Sequence, residues 1–148
     1  MAIKTISVAG EGARYEALVT SGQTVTPGML VALQSDGTVK AHPNAGQPAE
    51  AAFAVEDDLQ GKDIDETYAA GSICQYEIFK PGDKVYAYAS TSQTIAKGDF
   101  LQSAGDGYFQ KYAADSAGAV EYPNSIKAVA AEAKTTTGTA ARMLVRIV

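Results

Sequence analysis

Apolar and polar residues alternate in short runs along most of the chain, and many of the turns between them carry Gly, Pro, Asn or Asp. That is the pattern of half-buried strands joined by tight turns. Arg14 to Val19 predicts a first strand, with Tyr15, Ala17 and Val19 on one face. Ile73 to Phe79 predicts another, followed by Lys84 to Ala89, where Val85, Ala87 and Ala89 alternate with Tyr86 and Tyr88. Ala51 to Val55 reads as a buried strand. Ile126 to Ala133 and Arg142 to Val148 are the last two, the final one carrying Met143, Val145 and Ile147 on one face. The first twelve residues break the pattern. Ile3, Ile6 and Val8 keep no clean period and Gly10 and Gly12 loosen the junction, so residues 1–12 read as an extended arm, either an edge strand or frayed terminus, or a segment that orders against a partner.

One pattern occurs twice. Gln23-Thr24-Val25-Thr26-Pro27-Gly28-Met29-Leu30-Val31, continued by Asp36-Gly37 to Val39, is matched by Gln93-Thr94-Ile95-Ala96-Lys97-Gly98-Asp99-Phe100-Leu101, continued by Asp106-Gly107 to Phe109. The offset is a constant 70, as from Gly28 to Gly98 and from Gly37 to Gly107. Each copy reads as a turn, a strand, a hairpin and a strand. Pro27 fixes φ and Gly28 accepts positive φ, as a type II turn requires, and Asp-Gly between apolar runs is a strong hairpin signal. Beyond the hairpins, Ala52 to Glu56 answers to Ala128 to Glu132, and Ile73 to Phe79 answers to Arg142 to Val148. Lys80-Pro81-Gly82-Asp83 supplies a further turn, and Ala113 to Asn124 reads as a polar surface excursion.

These observations predict a mainly β fold of about ten short strands. The arm at 1–12 precedes a single domain at 13–148, a small barrel-like body in which two related hairpin units, about 20–79 and 90–148, close on a shared core. Little helix is expected beyond a turn near 63–69.

Composition narrows the function. At 148 residues the chain is long enough to hold a core without staples. A net charge of −5 with no Lys/Arg block lacks the footprint of a nucleic-acid binder. No secretory leader and no run of ~20 apolar residues occurs, so a soluble protein made in a cytoplasm is expected, without membrane contact. Cys74 is the only cysteine, which leaves no intramolecular disulfide, and its place in a strand predicts a buried inert thiol. His42 is the only histidine, so a structural zinc site has too few ligands. The densest charge lies at Glu56-Asp57-Asp58, Asp63, Asp65 and Glu66. It lacks the spacing of an EF-hand and reads as a solvated loop in which Asp63 or Asp65 caps a short turn. No nucleophile elbow, phosphate loop, dinucleotide fingerprint or zinc-protease motif is present. No catalytic, cofactor-binding or metal-binding residue is therefore assigned, and a binding or assembly module is expected.

The residues Pro27-Gly28-x-Leu30-Val31-Ala32, Asp36-Gly37-Thr38-Val39, Phe53-Ala54-Val55-Glu56-Asp57, Gly61, Tyr68, Gly71, Pro81-Gly82-Asp83-x-Val85-Tyr86-Ala87, Gly98-Asp99-Phe100-Leu101 and Asp106-Gly107 carry a resemblance. Over residues 20–148 the chain resembles the head decoration, or capsid cement, proteins of tailed bacteriophages. The resemblance implies a non-enzymatic protein, made in the host cytoplasm, that binds the outer face of an expanded head. Its partners would be the major capsid protein, whose subunits it bridges, and itself, as a trimer on the capsid. It also implies an N-terminal segment that orders against the capsid, for which Ile3, Lys4, Ile6, Val8 and Arg14 are the candidate contacts. The competing reading is a carbohydrate- or cell-surface-binding module using Tyr86, Tyr88, Tyr108 and Tyr112 as stacking platforms; in the simpler reading those tyrosines pack in strands. A small metalloenzyme built on Glu56 to Glu66 is a third.

Overall fold

The protein is described here by a computed structural model covering residues 2–113 and 125–148. The alternation seen in the sequence yields thirteen strands among the described residues: β1 (Ser7–Ala9), β2 (Ala13–Leu18), β3 (Val31–Leu33), β4 (Val39–Ala41), β5 (Ala52–Ala54), β6 (Ile73–Ile78), β7 (Lys84–Ala89), β8 (Thr94–Ile95), β9 (Phe100–Gly105), β10 (Tyr108–Lys111), β11 (Ile126–Ala130), β12 (Lys134–Thr135) and β13 (Ala141–Ile147). The one helical element among them is a 3-10 turn at Asp58–Gln60, upstream of the turn expected at 63–69. At that later position Asp63 accepts the Asp65 and Glu66 N–H groups in a bend that does not propagate into helix. Most of the expected excursion at 113–124 lies outside the described residues.

The second half of the chain closes a five-stranded barrel in the order β7-β10-β9-β11-β13, with β13 returning to pair antiparallel with β7 from Ala141↔Ala89 to Arg146↔Lys84. All neighbours are antiparallel except β10 and β7, which run parallel through Phe109↔Ala89. The first half builds the same ring from β2, β4, β3, β5 and β6. Here two joints shrink to single bridges, Val19↔Val39 (parallel) and Leu30↔Phe53 (antiparallel).

The registers of the two rings correspond residue by residue. Val19↔Val39 answers to Ala89↔Phe109, Leu30↔Phe53 to Phe100↔Val129, Ala54↔Tyr76 to Ala130↔Val145, and Ala17↔Cys74 to Ala87↔Met143. The turns correspond as well. In Thr26-Pro27-Gly28-Met29 and Ala96-Lys97-Gly98-Asp99 the fourth N–H donates to the first carbonyl at 3.1 Å, with φ of 97° at Gly28 and 93° at Gly98, which defines a type II turn. Gly28 N–H then donates to Ala54 O, and Ala54 N–H donates back to Met29 O; Gly98, Ala130 and Asp99 repeat the arrangement. Lys80-Pro81-Gly82-Asp83 is a third such turn, docked on Ile147.

The two Asp-Gly hairpins differ. Asp106 and Gly107 both take positive φ (53° and 80°) in a two-residue turn. The first hairpin uses a longer loop, in which Gln34 N–H donates to Thr38 O, Gly37 alone turns to positive φ, and the Asp36 carboxylate accepts the Thr38 N–H and hydroxyl.

The expectation of one shared core needs correction. Strand alternation points Ala52 and Ala54 into the first ring and Phe53 out of it. The first ring therefore encloses its own cluster of Val19, Val25, Val31, Val39, Ala52, Ala54 and Cys74. The corresponding Ala89, Ile95, Leu101, Phe109, Ala128, Ala130 and Met143 line the second. The outward side chains Leu30, Phe53, Val55 and Phe79 leave the first ring and join the second ring's cluster, with Phe53 against Phe79 and Phe109 at centroid distances of 5.8 and 5.7 Å. The barrel-like β body is thus two rings welded by an apolar interface.

Candidate functional site

Among the described residues, His42, Cys74 and Glu56 are taken up by the interior. His42 is buried, with Nδ1 2.8 Å from Ser103 Oγ and Nε2 3.2 Å from the Pro48 carbonyl. A carbonyl can only accept, so Nε2 carries the proton and Nδ1 accepts from the Ser103 hydroxyl, which itself accepts Gly105 N–H. Burial lowers the pKa of His42 and holds the ring neutral. Cys74 is fully buried and burial pushes its thiol up to about 12, the inert state expected of it. Among the described residues no three of His, Cys, Asp and Glu converge as metal ligands.

The arm is where sequence and structure part most. Ile6 is wholly buried, its N–H donating to Glu56 Oε2 at 3.1 Å and its carbonyl accepting Tyr86 N–H at 2.9 Å. The Thr5 hydroxyl donates to the other oxygen of Glu56, and β1 pairs with the start of β7 through Ser7↔Val85. Ile6 is therefore a core residue inserted between the rings, not a contact available to a partner. The sequence shows its apolarity but not the carboxylate, fifty residues on, that anchors its peptide. Of the other arm candidates, Lys4 and Val8 are exposed and Ile3 is half-buried. Arg14 is committed elsewhere, its Nε 3.2 Å from Glu77 and its Nη1 2.8 Å from Asp58, whose carboxyl it holds below the ordinary range.

The acidic loop is likewise structural. Glu56 and Asp57 are buried, Asp58 pairs with Arg14, and Asp65 accepts Arg142 Nη1 at 2.8 Å. Arg142 is the polar rivet of the ring interface: it also donates to the Ile64 and Pro27 carbonyls and lies 4.6 Å over the ring of Tyr88. Tyr88 in turn packs on Tyr108 at 5.7 Å, and Tyr86 packs against the second core. No signal in the sequence marks Arg142 for this role, because its partners come from three separate segments.

The turn residues Pro27, Gly28, Asp36, Gly37, Pro81, Gly82, Gly98, Asp106 and Gly107 all lie in turns. They are distributed over both rings and do not converge. What the surface offers instead is apolar. Leu18, Leu33 and Ile73 are half or more exposed on the first ring, and Phe100 and Val148 about half exposed on the second. A recess of about 320 Å³ on the second ring is lined by Lys84, Lys97, Gly98, Val129, Ala130, Ala131 and Arg146.

No protein-family model matches the sequence, and no curated protein does. Among solved structures, the chain is similar to the head fiber gp8.5 N base of bacteriophage phi29, with a TM-score of 0.55 and 13% identity, over 93% of this chain and 98% of that one. At this identity the likeness is one of fold, and it extends over both rings.

Proposed function

We propose that the chain is a structural protein of a bacteriophage virion that binds the outer surface of the expanded head and stabilises it by bridging major capsid subunits. The observation that carries the reading is the fold, shared along nearly the whole chain with a component of a phage head fiber. The resemblance of its turn and strand residues to phage head decoration proteins points the same way. The internal chemistry agrees with a role without catalysis, since His42, Cys74, Glu56 and Arg142 are spent on packing and on holding the rings and arm together. A rigid body repeated over a lattice gains strength from number: copies that each bury a modest interface on two neighbouring subunits resist their separation by avidity. Lys4 and Val8, exposed beside the docked part of the arm, remain the arm's candidate capsid contacts, and self-association as a trimer on the head completes the proposal.

The test is co-sedimentation of the purified protein with expanded heads and with unexpanded precursor heads. Saturable binding to the expanded form, with a raised temperature of head disruption, is expected. Failure to sediment with either form overturns the proposal. Against the glycan-binding alternative, Tyr88 packs on Tyr108 and lies under Arg142, which leaves its ring less free to serve as a stacking platform.

A further inference from the structure

We propose that copies of the chain associate head to tail, the first ring of one seating on the second ring of the next as the two rings seat on each other within the chain. The repeat assigns the ring residues of the internal interface counterparts at an outer end; Ile6 of the arm, also in the seam, has none. The first ring presents Leu30, Phe53, Val55 and Phe79, all buried. Their counterparts on the second ring are Phe100, Val129, Ala131 and Val148, apolar at every position yet uncovered: Phe100 is 52% and Val148 46% exposed, and the other two are partly exposed.

The receiving side behaves in the same way. Within the chain the second ring receives the first through the cross-strand pair Tyr88↔Arg142 and the hairpin tip at Gly107. Tyr88 N–H donates to Gly28 O, Arg142 Nε to Pro27 O, and Leu30 N–H to Gly107 O. The counterparts on the first ring are the cross-strand pair Leu18↔Ile73, 50% and 53% exposed, and the tip at Gly37, which has open space around it. Leu33, 57% exposed, is the counterpart of Ser103, which bonds the first ring's His42. Thus, among the described residues, five of the eight exposed large hydrophobics (Leu18, Leu33, Ile73, Phe100 and Val148) fall where the internal interface would recur. An interface that the fold already makes once has both of its faces displayed again, unfilled, at opposite ends. This commits the occupant of those faces to a second copy of the chain.

Charge supports the same pairing. A β-carbon at Gly28 would lie 2.9 Å from Tyr86 O, so the internal interface closes tightly there. The counterpart of Gly28 is Gly98, in the recess flanked by Lys84, Lys97 and Arg146, and the counterpart of Tyr86 is the exposed Glu16. Docking therefore brings a carboxylate into a pocket of three cations. Because head and tail are different surfaces, the contact is heterologous and builds closed rings or open chains according to the angle between copies.

Sedimentation velocity of the free full-length chain from about 1 µM to 1 mM, a range that spans affinities of ordinary weak interfaces, tests the proposal without any capsid. The weight-average sedimentation coefficient should rise with concentration. Ile73→Asp on the head and Phe100→Asp on the tail, both at exposed positions, should each weaken association at least tenfold. An equimolar mixture of the two should form one-to-one dimers and nothing larger, since one intact head and one intact tail remain. A wild-type chain that stays monomeric throughout, or a mixture that stays monomeric, overturns the proposal. Should either Asp variant melt differently from the wild type, Glu16→Lys serves instead: it should weaken association, and adding Lys97→Glu should restore it, whereas no restoration counts against the pairing. The outcome is independent of head binding, so this inference and the proposed function fail separately.

Discussion

Gly107 and Gly37 occupy the same place in the repeat and face opposite constraints. Both take positive φ, 80° and 84°, where an L side chain is strained. At Gly107 a β-carbon would also lie 2.9 Å from Met29 Cβ and 3.1 Å from Ala41 Cβ, while at Gly37 it would meet nothing. Gly37→Ala should cost about 1 kcal/mol in denaturant unfolding and Gly107→Ala about 1–3 kcal/mol more, from overpacking the ring interface. Equal losses would show that the interface yields there. His42 sets a pH window. Its folded pKa is lowered from 6.5 by burial, so the unfolded chain takes up the proton first, and the stability present above about 6.5 is lost as pH falls through the folded value. The carboxyls of Asp36 (hydrogen-bonded by Thr38), Asp58 (by Arg14) and Asp99 (by the Ala96 N–H and Lys111) are also lowered, but they start from 3.8, so their contributions are lost only in stronger acid. Melting temperature should therefore decline in two stages, and His42→Gln should remove the first. A wild-type chain as stable at pH 5 as at pH 7 would contradict the assignment of a buried neutral ring.

At the scale of elements, the arm decides how far the two rings depend on what precedes them. Ile6 fills the seam between them and its peptide N–H satisfies a buried carboxylate. Ile6→Ala should cost about 2–5 kcal/mol, and removing residues 2–10 should cost at least as much, because Glu56 then loses both donors, Thr5 and Ile6. Lys4→Ala, at an exposed position, should leave the melt unchanged. A deletion variant that melts like the full chain would show β1 to be dispensable.

What was legible in the sequence divides along the same line. Turn chemistry is local, so Pro27-Gly28, Pro81-Gly82 and Gly98 mark their turns correctly, and the shared registers follow from the repeat. The dipeptides Asp36-Gly37 and Asp106-Gly107 look alike, and the difference lies in their neighbours: Thr38, whose N–H and hydroxyl bond the Asp36 carboxylate, stands where Tyr108 follows Gly107. Alternation alone does not show that Phe53 faces a second ring instead of a common interior. Ile6 and Arg142 were illegible as seam residues for one reason: their partners, Glu56 for the first and Asp65, Ile64 and Pro27 for the second, are brought to them only by the closed fold.

For the whole molecule, the two rings share one apolar seam, and exposed apolar residues stand at the positions that the repeat pairs with it. In the role proposed for it, reinforcement of a head lattice, many weak contacts would act together. The most direct measurement is a density map of expanded heads saturated with the protein. The account predicts density for both rings on the outer surface, around three-fold positions, with each copy touching at least two major capsid subunits and a neighbouring copy of itself. Heads that carry no such density, or copies that each rest on a single subunit without reaching another, would contradict it.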